Sequence, residues 1–230
     1  MRIFLLTFFC LISLSVRAQR AYWAGQNDFI FSLAQMNKTS VPSSPVLRFS
    51  GFLNYELQLH YNFGKSVGMY SGFGIKNIGL INHFEYHLIN IKQRAYALSI
   101  PLALKFGSMS NQNYIAVGGE LDLMAQYKQK FIYGHTKIKE NEWFSDKVNL
   151  LNPAVFLTAR FMQNQVITVK YFLNDFLHYQ AGGLTLPDGT VIPDYGRSSH
   201  LFYISWGTNI AFRPPSVKAT KESRMRSASL

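Results

Sequence analysis

Glu120 and Asp122 stand two residues apart in Gly119-Glu120-Leu121-Asp122, which puts two carboxylates on one face of a strand. Such a pair could serve general acid-base chemistry or hold a divalent cation. The same face carries Lys128, and matching faces of other segments carry Glu56, Lys76, Lys105, Arg160 and Lys170. Isolated burial of any one of these charges would cost several kcal/mol, so three carboxylates and five bases sharing one interior are expected to pair. The expectation is a polar lumen network, a structural device and not a reaction centre. His83 and His87 lie four apart around Glu85, but they offer only two imidazole ligands and read as ordinary loop histidines. A nucleophilic hydrolase would need a serine, a histidine and an acid together. His200 and Ser205 fall on opposite faces of one segment, and His178, Asp188, Asp194 and Ser198 share a polar stretch where such sets arise by chance. No catalytic residue, metal or cofactor is expected; a lipid-modifying enzyme is the enzymatic alternative.

The segments that place these charges are strands. Phe49, Gly51, Leu53, Tyr55, Leu57, Leu59 and Tyr61 alternate with Ser50, Phe52, Asn54, Glu56, Gln58, His60 and Asn62, a separation that a helix would scramble every turn. Tyr96, Leu98, Ile100, Leu102, Leu104 and Phe106 form another apolar face against Ala97, Ser99, Pro101, Ala103 and Lys105. Ile115, Val117, Leu121, Leu123, Ala125 and Tyr127 oppose Glu120, Asp122, Gln126 and Lys128. Shorter patterns cover 27–35, 67–79, 152–162, 165–175 and 199–212, giving eight strands in all. Pro101 cannot donate to a ladder and calls for a bulge or a rim position.

Connections alternate in length: short near 63–66, 107–113 and 163–164, long and polar near 36–46, 80–92, 129–150 and 176–198. Short turns at one end, long loops at the other and an even strand number describe a bacterial outer-membrane barrel. Composition agrees, since 48% of residues are hydrophobic and 15% aromatic while only 15% are charged, against about 25% in ordinary soluble domains. Disorder is excluded by this composition, and no later run of 18 apolar residues exists for a membrane helix. Residues 1–18, with Arg2, the apolar run Ile3–Val16 and Val16-Arg17-Ala18, read as a cleaved signal peptide. Its removal takes the net charge from +11 to +9 and the lone Cys10 with it. The barrel is assigned to 19–212, and 213–230, with Pro214, Pro215 and five cations, to a disordered basic periplasmic tail.

Three stretches resemble the outer-membrane β-barrel family common in Bacteroidota, which includes PorT-like proteins. They are Val16-Arg17-Ala18-Gln19, the glycine-rich Gly68-Met69-Tyr70-Ser71-Gly72-Phe73-Gly74-Ile75, and Tyr96-Ala97-Leu98-Ser99-Ile100-Pro101-Leu102-Ala103-Leu104-Lys105-Phe106. The last is similar to the family's aromatic-x-x-x-Ile-Pro-Leu-x-Leu-Lys strand. The resemblance implies a barrel in the outer membrane and a link to protein secretion. Phe212 looks like the terminal aromatic that such barrels use for assembly, yet 18 residues follow it.

The expected fold is therefore all-β, an eight-stranded antiparallel up-and-down transmembrane barrel. It would act as a structural or assembly component, or bind at the surface through its long loops. The aromatics follow strand period and do not interleave with Lys and Arg, so lipid is the expected partner and nucleic acid is not. Other envelope or secretion proteins are further expected partners. Phe131, Tyr133, Trp143 and Phe144 are aromatics in a loop, either a partner-binding patch or packing across the barrel mouth. Alternation alone does not say which face is inside, so a soluble lipocalin-like carrier, with the faces exchanged, is the alternative fold reading.

Overall fold

The structure is a computed structural model that describes residues 21–36, 42–84, 89–133, 135–162, 164–179, 181–187 and 189–212. The expected signal peptide and basic tail lie outside these residues. Thirteen strands are present among those described: β1 (Ala21–Met36), β2 (Ser43–Val46), β3 (Arg48–Ser50), β4 (Tyr55–Asn62), β5 (Val67–Phe84), β6 (Ile89–Ser108), β7 (Asn113–Tyr133), β8 (Thr136–Trp143), β9 (Leu151–Phe161), β10 (Gln165–Phe172), β11 (Leu184–Thr185), β12 (Val191–Ile192) and β13 (Ser199–Phe212). Eight of them close a ring in the order β1-β4-β5-β6-β7-β9-β10-β13, and β13 returns to β1 along a seam from Trp23↔Phe212 to Met36↔Ser199. Every neighbouring pair is antiparallel, so the chain runs up and down around the ring.

The register fixes the slant of the strands. Followed from Trp23 through Leu59, Ser71, Leu102, Gly119, Val155, Tyr171 and Phe202, it returns to β1 at Leu33, ten residues further along. With a rise of about 3.3 Å per residue and strands about 4.8 Å apart, that stagger tilts the eight strands by roughly 40°. An interior of this width is filled by side chains.

Over most of the barrel's height the apolar residues face outward. Leu98, Ile100, Leu102, Leu104 and Phe106 are exposed on β6, as are Ile115, Val117 and Leu121 on β7 and Phe202, Ile204, Trp206, Ile210 and Phe212 on β13. Glu56, Lys76, Ser99, Glu120, Asp122 and Lys170 are buried inside. These orientations decide between the two fold readings: a lipocalin-like carrier requires the reverse. From Tyr96 to Phe106 the belt covers about 25 Å once the tilt is applied, the height of a lipid-facing band.

Beyond Tyr96 the same sheet exchanges its faces. Asn90, Lys92 and Arg94 on β6 and Gln126, Lys128 and Lys130 on β7 turn outward, whereas Ile89, Ile91, Ala95, Tyr127 and Phe131 are buried. The exchange on β7 uses a bulge: Tyr96 pairs with Gln126 but Ala97 pairs with Met124, which leaves Ala125 over and flips every later side chain. Lys128 was expected in the lumen and is on the outer face; Tyr127 was expected outside and is buried.

Other boundaries also differ from the sequence reading. Residues 80–84 and 89–92 continue β5 and β6, and 129–133 with 136–143 form the β7–β8 hairpin, so these are ladder segments and not loops. β1 begins at Ala21, six residues before the expected start. The single strand expected over 49–61 is interrupted at 51–54, where Leu53 has a φ of 57° and Phe52 and Leu53 lie outside. Asn54 closes the gap: its amide donates to the Ser50 carbonyl (2.8 Å) and the Asp28 carbonyl (3.1 Å), and its Oδ1 accepts from the Asn77 N–H (2.8 Å). Asn54→Ala leaves that buried N–H and the Ser50 carbonyl without these partners and is expected to cost about 2–3 kcal/mol in urea unfolding. A loss below 0.5 kcal/mol, the size of an ordinary surface substitution, would show that the break needs no clasp.

Pro101 sits neither at a rim nor at a bulge but in the middle of β6. The β5–β6 ladder skips there, between Ser71↔Leu102 and Gly74↔Ser99, and the Ser71 hydroxyl donates to the Pro101 carbonyl at 2.8 Å. Gly72 opposite is pressed toward β4, where a Cβ would stand 2.2 Å from the Leu57 carbonyl oxygen. Proline is tolerated because β5 gives up the bond that Pro101 cannot make.

Candidate functional site

Midway through the belt, Glu56 from β4, Lys76 from β5, Glu120 and Asp122 from β7 and Lys170 from β10 meet in one chain of ion pairs. Lys76 Nζ is 2.8 Å from Glu56 Oε2 and 2.5 Å from Glu120 Oε1; Lys170 Nζ is 2.9 Å from the same Glu120 oxygen and also bonds Asp122. The ends are tied down by Gln58, whose amide donates to Glu56 Oε1 at 2.6 Å, and by Ser99, whose hydroxyl donates to Asp122 Oδ1 at 2.5 Å. Gly74 leaves room for the Glu56 stem, since a Cβ there would lie 3.3 Å from Glu56 Cγ. Both carboxylates of the Glu120–Asp122 pair are thus engaged by amines.

Lys105 and Arg160 belong to a separate layer nearer the chain ends. Lys105 Nζ donates to Asn62 Oδ1 (2.8 Å), lies 3.1 Å from His60 Nδ1, and has no carboxylate at ion-pair distance among the described residues. Tyr22 stacks on His60 at 4.8 Å. Arg160 donates to Gln112 (2.5 Å) and to the Asn209 carbonyl (3.0 Å). The sequence reading missed Gln26, Asp28, His60 and Asn209 as lumen residues. Gln26 and Asp28 share the face of Tyr22 and Ala24, a pattern legible once β1 is started early enough.

Above the ion pairs the interior is mainly apolar, with Asn82, Gln93 and Gln129 buried in it. Ile78, Leu80, Phe84, Ile91, Tyr127 and Phe131 form one cluster with Phe176, Leu177, Leu186, Ile192 and Tyr195 of the last long connection. Tyr195 donates to Gln93 Oε1 at 2.5 Å, and its burial raises the phenol's pKa. Spaces of about 20 Å³ beside Tyr195 and about 10 Å³ beside the ion pairs are each near the volume of a single water. Side chains fill the lumen at the level of the ion pairs and at that of the apolar cluster.

The four loop aromatics separate. Phe131 is buried in the apolar cluster, and Tyr133 ends β7 opposite Thr136. Trp143 is 67% exposed at the end of β8 and pairs in register with Gln126, which in turn pairs with Tyr96. Phe144 is also exposed, and its N–H donates to the carbonyl of the bulged Ala125 at 3.0 Å. Nearby, Lys147 reaches Glu142 at 2.8 Å and Glu140 at 3.1 Å, and bonds from Lys147 and Ser145 hold the Glu142 carboxyl below its usual pKa. His83 Nδ1 lies 2.9 Å from Asn90 Oδ1 in the β5–β6 ladder, while His87 falls outside the described residues. His200 is half-buried on the outer face and Ser205 is buried on the opposite face of β13; His178 bonds the Asp146 carbonyl at 3.0 Å.

No family model matches the chain, and no curated protein matches it in sequence. Among solved structures it is similar to Ail, the attachment invasion locus protein of Yersinia pestis, in complex with the heparin analogue sucrose octasulfate, at 13% identity over 84% of this chain and 99% of that one, with a TM-score of 0.40. Neisserial surface protein A is similar at 12% identity over 84% and 99%, with a TM-score of 0.41, and OprG from Pseudomonas aeruginosa at 12% over 83% and 97%, with a TM-score of 0.32. Likenesses of this size transfer no role to the chain.

Proposed function

We propose that the protein spans the bacterial outer membrane as a closed, non-enzymatic barrel and presents the part of its sheet beyond the belt, with the long connections, as a binding surface. The observation that carries this is the exchange of faces at Tyr96 and Gln126: apolar outside below that level, polar outside above it, on one continuous sheet. A protein bathed in water on all sides has no reason to change its outer face at one height; a protein leaving a bilayer does. The filled lumen favours a scaffold over a pore. The likeness of Tyr96–Phe106 to PorT-like barrels supports a finer reading, an assembly role beside envelope or secretion proteins, with Trp143 and Phe144 as the exposed contact.

The three tryptophans test the spanning reading, because Trp23, Trp143 and Trp206 all face outward at different heights. In vesicles of brominated phosphatidylcholine, single-tryptophan variants should give Trp206 quenched most by bromines deep in the acyl chains, and Trp23 and Trp143 by shallow ones. Equal, weak quenching of all three would sink the reading. Affinity capture from solubilised outer membranes, with a Trp143→Ala, Phe144→Ala double variant as control, tests the finer one. Recovery of the same proteins with both forms would remove the assigned contact.

A further inference from the structure

Above Tyr96, the outer face of the sheet holds a groove of about 460 Å³ lined by Lys92, Arg94, Lys128, Lys130, Lys139 and Glu140. The register sets the cations in cross-strand rows, Lys92↔Lys130↔Lys139 and Arg94↔Lys128. The one carboxylate does not neutralise them: Glu140 pairs with Lys147 at 3.1 Å, and none of the five cations has an ion pair among the described residues. Like charges placed side by side in this way are costly without an anion between them. The Lys92 amine shows the strain in its pKa, lowered by partial burial and then by Arg48, Arg94 and Lys130.

Directly below on the same strand is a second groove, about 550 Å³ and almost wholly apolar, lined by Phe73, Ile75, Leu98, Ile100, Leu121 and Leu151. Lys92, Arg94, Tyr96, Leu98 and Ile100 are successive outward residues of β6, so the two grooves follow each other along one line. From Leu98 to Lys92 is about 20 Å along the strand. Tyr96 marks the junction, with Arg94 at 5.7 Å and Lys128 at 5.3 Å from its ring centroid.

We infer that these two grooves form one site for an anionic lipid of the surrounding leaflet carrying more than one phosphate, its phosphates among Lys92, Arg94, Lys128, Lys130 and Lys139 and an acyl chain along Leu98 and Ile100. Charge selects the headgroup: five cations in two rows exceed what a single phosphate neutralises, and a zwitterionic headgroup brings an ammonium into a basic field. The adjoining apolar groove selects an amphiphile over a soluble polyanion. The inference rests on the membrane-spanning reading.

The test uses the full chain reconstituted in phosphatidylcholine vesicles, titrated with bis-phosphorylated lipid A and, separately, with inorganic phosphate and with heparin as water-borne anions. A Lys92→Gln, Lys130→Gln, Lys139→Gln triple variant should bind lipid A at least tenfold more weakly, the wild-type affinity should fall with added salt, and neither soluble anion should compete at equal phosphate or sulfate concentration. An Ile100→Ala, Leu98→Ala variant should weaken lipid A alone. Unchanged lipid A affinity in the triple variant overturns the site, and full competition by heparin or phosphate reassigns it to a soluble polyanion and overturns the lipid. Deep quenching of Trp206 in the same vesicles separates these outcomes from a failure to insert, which would overturn both readings together.

Discussion

Replacing Lys170 with methionine is expected to destabilise the barrel by about 3–5 kcal/mol, the cost of removing one partner from a buried pair. Lys170 is fully buried and holds Asp122 and half of Glu120. Without it Asp122 keeps only the Ser99 hydroxyl, and an interior that already has more carboxylates than amines in this chain becomes more negative. The contrast with Glu120→Gln makes the prediction specific. Glu120 lies between two amines, yet each of these has a second carboxylate, Glu56 for Lys76 and Asp122 for Lys170. Its neutralisation is therefore expected to cost less than half as much, although Glu120 makes as many ionic contacts as Lys170. Urea unfolding in vesicles, followed by tryptophan fluorescence, measures both variants. Equal losses would show that contact number, and not the charge balance of the lumen, sets stability.

Ile100→Arg is the second large effect, about 2–4 kcal/mol, as for a cation placed on the lipid face near the bilayer midplane. Ile100 is 51% exposed and lies near the middle of the belt, opposite Leu121. In water, arginine at a half-exposed strand position would cost within about 0.5 kcal/mol. Gln126→Arg provides the depth scale: it lies on the outer face where the polarity changes, and about 0–1 kcal/mol is expected there. The two variants unfolding alike would contradict a belt with depth.

Period-two alternation made the ring strands and the outward residues of β6 legible, because a strand in a closed ring with a packed lumen sends its side chains alternately in and out. It failed where the backbone departs from that rule without changing the letters. The β7 bulge adds Ala125, with neither glycine nor proline to mark it, so unbroken alternation puts Tyr127 and Lys128 on the wrong faces. At 51–54 the parity is the same on both sides of the break, so the interruption left no trace in the pattern. The apolar cap was hidden for another reason: Phe176, Leu177, Leu186, Ile192 and Tyr195 lie in an irregular segment whose burial follows from where the chain returns and not from any local period. Within the lumen, the residue types were readable but the division between the ion-paired layer and the Lys105–Arg160 layer was not, since it depends on the stagger between strands.

The seam between β1 and β13 has a consequence for timing. Asn209 donates to Gln26 at 3.2 Å and to Gln58 at 2.7 Å, and β1 finds the partner for one whole edge only in the last strand of the ring. Contacts so far apart along the chain are slow to form and are rewarded only at the end. Until β13 is delivered, the open sheet keeps both an unpaired edge and its outward apolar residues, a state prone to join other chains. Closure thus requires both ends of the ring in the same place, and an escort that keeps the edge of β1 occupied until β13 arrives would protect the sheet while it is open.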